Sequence, residues 1–265
     1  MICAGALGIL AAIGTWGDMS KIVERTLDFL ELFADQKRPL SLSDISRLLK
    51  IPASSCHDVL QTLQDRGYIY ELAPRAGYYP TRRLFDLART ITDHDPVALR
   101  ADILLRTMRD TLDESVLLAK VSGLQATYLL TFEPSHPLRF LANVGDRVRS
   151  LYATSGGKAI LSSLPDRELE RCLKSIALKA LTKNTITSKT ALRKDIEIGK
   201  RRGWFLNCEE SQDAVTTLSS PFTWNGSAYI ITIAGPTSRI EPRLERMAKL
   251  LIDTCRQLEM RLEVA

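Results

Sequence analysis

Residues 39–67 read PLSLSDISRLLKIPASSCHDVLQTLQDRG and contain two helix signals in close succession. Ser43 suits the N-cap of a short helix over 44–49, and Asp44 supplies an acid in its first turn. A second helix is expected after Pro52 and is closed by Gly67. Its predicted apolar face consists of Cys56, Val59, Leu60 and Leu63. The pattern predicts two consecutive helices joined by a short turn.

The flanking residues extend this pattern on both sides. From Lys21 apolar residues recur at helical spacing, which predicts a first helix that ends before Lys37. The predicted inward residues of this helix are Ile22, Val23, Leu27, Leu30 and Phe33. Downstream, residues 68–72 and 78–80 are typical of two short strands around a turn. The order of three helices and a hairpin predicts a winged helix-turn-helix over residues 19–81.

In a helix-turn-helix, the second helix of the pair enters the major groove and presents its N-terminal side chains to base edges. The residues expected to face bases are Ser54, Ser55, His57, Asp58 and Thr62. The residues expected to contact phosphates are Arg47, Lys50 and Arg82, with Arg75 at the tip of the wing. Segment 37–89 holds nine Lys or Arg and five Asp or Glu, a net charge of +4. The alternative is a winged helix that serves only protein contacts.

Composition limits the remaining possibilities. The 265 residues are 45% hydrophobic and 25% charged, which predicts a globular chain of two domains and excludes disordered, collagen-like and coiled-coil classes. The net charge of +5 permits a nucleic-acid partner. The five cysteines are scattered without a C-x-x-C pair, and the chain has three His. We therefore expect reduced thiols, no structural metal and no cofactor.

The N-terminal segment before Asp18 is apolar and uncharged. It lacks a basic n-region and is shorter than a membrane span. Because Met19 opens the first predicted helix, residues 1–18 are expected to be extra or disordered, with translation starting at Met19. No other stretch is apolar enough to cross a membrane, so we expect a cytoplasmic protein.

Residues beyond the hairpin predict a linker and a second domain. Helical patterns at 83–92 and 96–113, broken near Pro96, predict a linker over 82–113. A mixed α/β domain is expected over 114–265. Its predicted strands are 116–121, 126–132, 139–144, 215–222 and 228–234, and its predicted helices begin near 153, 165, 189 and 242. No internal repeat is present.

The turn Ser155-Gly156-Gly157-Lys158 leads into a predicted helix. Backbone N–H groups and the positive end of the helix dipole at this place suit a carboxylate. The spacing is not that of a Walker loop, because Tyr152 and Ala159 stand where that motif needs Gly and Ser or Thr. The alternative is a tight helix entry that binds no ligand.

Several motifs together resemble the IclR family of bacterial transcriptional regulators. They are PLSLSDI at 39–45, IPASSCH at 51–57, SHPLR at 135–139, ATSGGKA at 153–159, TIT at 185–187, RGW at 202–204 with Glu209-Glu210, and Ser220-Pro221 with Gly235-Pro236. The resemblance implies a winged helix-turn-helix, a linker helix and a GAF-like effector domain, assembled as a homodimer or tetramer. It implies a sequence-specific DNA-binding regulator that senses a small molecule, an organic acid or an aromatic metabolite.

The resemblance also implies the effector site. The residues carried over are Ser155, Gly156, Gly157, Asn207, Thr217, Ser219, Thr232 and Ala234. The chain departs from the family pattern at Asp58, where Arg is usual, and at several pocket positions, so neither operator nor effector is transferable. Catalysis by Cys208 beside a His lacks any supporting motif, and no enzyme is expected. The remaining alternative is a C-terminal domain that only oligomerises.

Overall fold

The computed structural model describes residues 17–73 and 76–263, and it divides into two compact units between His94 and Asp95. The predicted wing contact Arg75 lies outside the described residues, as do residues 1–16 of the segment expected to be extra. Gly17 and Asp18 belong to the first helix. The expected boundary at Met19 therefore falls inside a helix.

The N-terminal unit has the predicted order of helices and hairpin. Its elements are α1 (Gly17–Gln36), α2 (Leu42–Leu49), α3 (Ala53–Asp65), β1 (Ile69–Glu71), β2 (Tyr78–Pro80) and α4 (Arg83–Thr92). Strands β1 and β2 pair antiparallel. The N-cap of α2 is Ser41 and not Ser43, because Ser41 stands three residues before Asp44 and completes a capping box with it. The Asp44 amide lies 3.1 Å from Ser41 Oγ.

The core of this unit confirms the predicted face of α3 and corrects that of α1. Cys56, Leu60 and Leu63 are buried. On α1, however, Phe29, Leu32 and Phe33 are buried, whereas Ile22, Val23 and Leu27 are more than half exposed. The C-terminal half of α1 therefore supplies its buried residues, and the apolar side chains of its first half stay largely at the surface.

The second unit contains a five-stranded antiparallel sheet with helices on both faces. Its strands are β3 (Ser115–Ser122), β4 (Gln125–Phe132), β5 (Phe205–Cys208), β6 (Val215–Trp224) and β7 (Ser227–Pro236), in the order β4-β3-β7-β6-β5. Its helices are α5 (Pro96–Leu112), α6 (Ser155–Ser162), α7 (Asp166–Ser175), α8 (Lys189–Arg202), α9 (Thr237–Ile240) and α10 (Leu244–Glu263), with a 3-10 turn at Glu241–Arg243.

Alternation along the strands gives the sheet two different faces. Leu218, Ile231 and Ile233 point to the core formed with α5 and α10. Thr217, Ser219 and Thr232 alternate with them and therefore point to the opposite face. Further along that face, Phe205 and Ile230 pack with α6, α7 and α8. A cluster of hydroxyl groups consequently lies under the start of α6.

Three sequence expectations differ from the structure. The predicted strand at 139–144 is irregular, because residues 145–148 pair with β4 instead: Val148 N lies 2.9 Å from Ala126 O. Strand β5 was not predicted, since four residues carry too little periodicity. The expected linker 82–113 forms two helices that belong to different units, and α5 buries Leu105, Met108 and Leu112 in the second core.

Among the described residues, no helix is long and apolar enough to cross a membrane.

Candidate functional site

Most of the expected DNA-binding residues that the structure describes are exposed on the N-terminal unit. Ser54 and His57 are accessible, half-buried Ser55 lies between them, and Arg47, Lys50 and Arg82 are exposed. Ser55, Asp58 and Thr62 also line a groove whose other wall is α1, where Arg25 is the basic side chain. Sequence reasoning did not identify Arg25, because it lies on a different helix from the recognition residues.

A cavity of about 180 Å³ lies in the second unit between the start of α6, the strands β5, β6 and β7, and the segment 140–150. Five of the eight residues carried over by family resemblance line it. They are Ser155, Gly156, Asn207, Thr217 and Thr232. Apolar lining comes from Leu117, Phe140, Leu141 and Val148. The cavity therefore combines a polar inner wall with apolar sides.

Three hydroxyl residues of the inner wall, Ser155, Thr217 and Thr232, are joined through Ser219 behind them into a continuous row of hydrogen bonds. Ser155 Oγ lies 2.6 Å from Thr217 Oγ1 and 2.8 Å from Ser219 Oγ, and Ser219 Oγ lies 2.8 Å from Thr232 Oγ1. Asn207 Nδ2 donates to Thr217 Oγ1 at 3.3 Å and to Ser211 Oγ at 3.0 Å. The row joins α6 to two strands of the sheet.

Three of the carried-over residues do not line the cavity. Gly157 packs against the backbone of 150–151, and its N–H donates to Thr154 Oγ1 at 3.0 Å, so it is not available to a ligand. Ser219 is fully buried within the hydroxyl row, behind the lining residues. Ala234 is buried in β7, paired with Thr217. The expectation that paired glycine amides hold a carboxylate is therefore wrong for Gly157.

Lys158 belongs to a buried ionic cluster and not to the cavity wall. Its Nζ lies 2.6 Å from Glu210 Oε1, 2.7 Å from Asp195 Oδ2 and 2.8 Å from Leu206 O. Burial raises the pKa of Glu210, and Lys158 opposes that rise. The backbone amide of Glu210 donates to Asn207 Oδ1 at 2.7 Å, so the ionic cluster also holds the Asn207 side chain in place. Asn207 in turn donates to Thr217, which is one end of the hydroxyl row.

Charged side chains lie at the mouth of the cavity, on the segment that pairs with β4. Arg147 and Arg149 line the cavity, are exposed, and make no ion pair or side-chain hydrogen bond within the part of the chain that the structure describes. Tyr128 also lines it, and burial raises the pKa of its hydroxyl while Arg149 lowers it. Sequence reasoning missed these residues. Arg147 and Arg149 form an Arg-x-Arg pair shortly before the glycine turn, and that pair could have identified them.

A winged helix-turn-helix unit and an α/β unit with a polar cavity define a transcriptional regulator with a separate C-terminal domain. The chain belongs to the IclR family. Residues 22–73 match the IclR helix-turn-helix domain, and residues 89–260 match the bacterial transcriptional regulator IclR C-terminal domain.

Individual relatives and solved structures agree with this assignment. The chain is 26% identical to the transcriptional regulator XynR of Escherichia coli over 83% of this chain and 87% of that protein. It is 28% identical to BhcR of Paracoccus denitrificans over 90% and 86%. The IclR structure of Thermotoga maritima covers 92% of this chain and 99% of its own at 21% identity, with a TM-score of 0.75.

A further structural neighbour contains a small molecule. It is an IclR homologue from Microbacterium hydrocarbonoxydans complexed with 4-hydroxybenzoate, 21% identical, with a TM-score of 0.70 over 92% of this chain and 100% of that one. The similarity shows a common fold.

Proposed function

We propose that this regulator binds a specific DNA site through α3 and changes its affinity for that site when a small organic acid or aromatic metabolite occupies the cavity of the second unit. The observation that carries the proposal is the internal cavity with its polar inner wall, because a domain that only oligomerises needs no row of buried hydroxyls beside an open space. The complexed neighbour supports a small-molecule effector.

The protein is proposed to act as a homodimer or tetramer that spans two half-sites. Exposed apolar side chains on α1, namely Ile22, Val23 and Leu27, and on α4, namely Phe85 and Ile91, supply surfaces that a second copy would cover. The small molecule would change the relative position of the DNA-binding units of the two copies. Coupling of about 1–3 kcal/mol corresponds to a change of about 5- to 150-fold in DNA affinity.

The test is a footprint on DNA from upstream of the protein's own gene, with and without small carboxylic acids. We expect a protected site with two related halves and a change in protection when an effector is present. A protected site that no acid alters, together with unchanged melting of the protein in the same acids, would favour the oligomerisation alternative.

Substitutions of the residues expected to contact phosphates and of those expected to contact bases should have different effects on DNA binding. Arg47→Gln and Lys50→Gln are each expected to weaken binding to all sequences and to lower the slope of log affinity against log salt by roughly one. Ser54→Ala and His57→Ala are expected to alter which sequence is preferred. Binding isotherms at several salt concentrations measure both effects.

The matched control is Arg167→Gln, which removes one exposed positive charge from α7 in the other unit. Its salt slope should equal that of the wild type. Equal slopes for Arg47→Gln, Lys50→Gln and the control would contradict the assignment of this surface to DNA.

A further inference from the structure

The C-terminal end of α5 is joined to one wall of the cavity by polar contacts. Arg109 Nη1 donates to Glu133 O at 2.8 Å, and Ser135 Oγ donates to Asp113 Oδ1 at 3.2 Å. Both contacts link the end of α5 to the segment that follows β4. That segment continues into Phe140, which lines the cavity.

A buried carboxylate lies at the centre of these contacts. Glu114, the second residue after α5, is fully buried. It accepts from Arg239 Nε at 2.6 Å, from Arg239 Nη2 at 2.8 Å and from Arg243 Nη2 at 3.0 Å. Arg239 Nη2 also donates to Leu138 O at 2.8 Å, and Arg243 Nη1 donates to Leu112 O at 3.0 Å. The carboxylate and its two guanidinium partners therefore connect the last carbonyl of α5 to the segment that forms the cavity wall.

The next residue makes a second link to the same wall. Ser115 is buried, and its Oγ donates to Phe140 O at 2.6 Å. Strand β7 leaves room for the carboxylate at Gly235, where a Cβ would lie 2.2 Å from Glu114 Oε2. Glu114, Ser115 and Arg239 form what we call the α5 tether.

The wall that the α5 tether holds is not held by strand pairing. The backbone N–H groups of 139–142 have no hydrogen-bond acceptor within residues 17–73 and 76–263. The tether binds this segment through two carbonyls, those of Leu138 and Phe140. A wall with so few backbone hydrogen bonds can change position at low cost when the cavity is filled.

Helix α5 extends from the tether to the boundary between the two units. It begins at Pro96, one residue past that boundary, and its 17 residues correspond to a length of about 25 Å. Rigid secondary elements that are packed between two sites can carry energetic coupling between them. A displacement at the tether therefore moves the end of the helix that leads to the DNA-binding unit.

We infer that the α5 tether transmits occupation of the cavity to α5, so that Glu114, Ser115 and Arg239 are positioning residues of the effector response. A molecule in the cavity changes the position of Phe140 and its neighbours, and their carbonyls displace Arg239 and Ser115 together with the end of α5. The inference rests on the proposed effector function. It predicts that the tether sets the coupling between the cavity and DNA, and not the affinity of the cavity.

Ser115→Ala and Arg239→Gln test the inference, because each removes one link to the cavity wall. The matched controls are Ser220→Ala and Arg202→Gln. Each control also removes a side chain that donates to a backbone carbonyl, but neither residue lines the cavity or lies on α5. Glu114 keeps Arg243 as a partner in both test variants. Melting curves of the full-length proteins establish that all four variants are folded.

Fluorescence anisotropy of the footprinted duplex, with and without a saturating carboxylic acid, gives the coupling as a ratio of two Kd values. The probe is 4-hydroxybenzoate first, and then the acids of the footprint screen. We expect a ratio of at least about five for the wild type and both controls, and below about two for Ser115→Ala and Arg239→Gln. Calorimetry without DNA should give an acid Kd within about threefold of the wild type in every variant.

Hydrogen exchange of the full-length protein gives a readout that requires no acid. Coupling between two sites is reciprocal, so DNA binding must also act on the cavity wall. The footprinted duplex should change the exchange of peptides from segment 133–142 in the wild type and in both controls. It should leave the same peptides unchanged in Ser115→Ala and Arg239→Gln.

Equal ratios at saturating acid in the wild type, the controls and the tether variants would overturn the inference, even if the variants need more acid to reach saturation. The tether would then only shape the cavity, and the effector function would stand. If no acid shifts the wild-type Kd and the duplex leaves segment 133–142 unchanged, the effector function and the inference both fall. If Arg239→Gln does not fold, Ser115→Ala decides, because it leaves every charged group in place.

Discussion

Lys158→Met is expected to lower the free energy of unfolding of the C-terminal domain by about 3–5 kcal/mol, because it removes the ammonium group that pairs with buried Glu210 and half-buried Asp195. Lys158 is 1% exposed, and its ammonium group contacts Glu210, Asp195 and the Leu206 carbonyl. The variant leaves these acceptors without their donor. In a domain of this size, each kcal/mol corresponds to about 2–4 °C in Tm.

The loss should depend on pH in a defined direction. Burial raises the pKa of Glu210 in the folded protein, and removing Lys158 raises it further. Where the folded state binds more protons than the unfolded state, stability falls as pH rises. The deficit of Lys158→Met should therefore be larger at about pH 8 than at about pH 5, where protonation of Glu210 removes the uncompensated charge.

Melting curves at both pH values measure this effect. Lys183→Met, which removes an exposed ammonium group from the same domain, is the control and should change Tm little. A Lys158→Met protein as stable as the control would show that the cluster contributes no net stability.

Gly157→Ala and Gly156→Ala are expected to have opposite consequences, although both add one methyl group to the first turn of α6. A Cβ at Gly157 would lie 2.0 Å from Ser150 O and 2.5 Å from Leu151 Cα, so backbone must move. We expect a loss of about 3 kcal/mol or more. At Gly156 the nearest atom would be Val148 Cγ2 at 3.5 Å, an ordinary contact.

Gly156→Ala should therefore keep the stability of the wild type or gain up to about 1 kcal/mol from helix propensity. Its methyl group would lie in the cavity wall and should weaken small-molecule binding without unfolding the domain. Thermal melting of the two variants side by side checks the pair. Equal Tm values would mean that α6 does not pack on the 150–151 backbone as described.

Periodicity predicted most of the fold because the burial requirement repeats along each element. The apolar face of α3 and the strands around Leu218 and Ile231 follow directly from their spacing. The same rule failed for α1, where Ile22 and Val23 have helical spacing but are more than half exposed. Periodicity indicates which residues share a face and does not say what covers it.

The site was less predictable than the fold. Resemblance to the family identified Ser155, Thr217 and Thr232, which line the cavity. It could not show that the N–H of Gly157 is taken by Thr154, because that depends on how closely α6 packs on the preceding segment. Arg149 lies on an irregular segment where no periodicity fixes direction, so its place at the mouth required the structure.

The central claim is that occupation of the cavity changes DNA binding, and fluorescence anisotropy of a labelled duplex carrying the footprinted site tests it most directly. Titrating the wild type and an Arg149→Gln, Thr217→Val double variant with and without the acid that alters the footprint gives four Kd values. The account predicts that the acid shifts the wild-type Kd at least about fivefold and leaves that of the double variant unchanged. An equal shift in both proteins, with both folded, would contradict it.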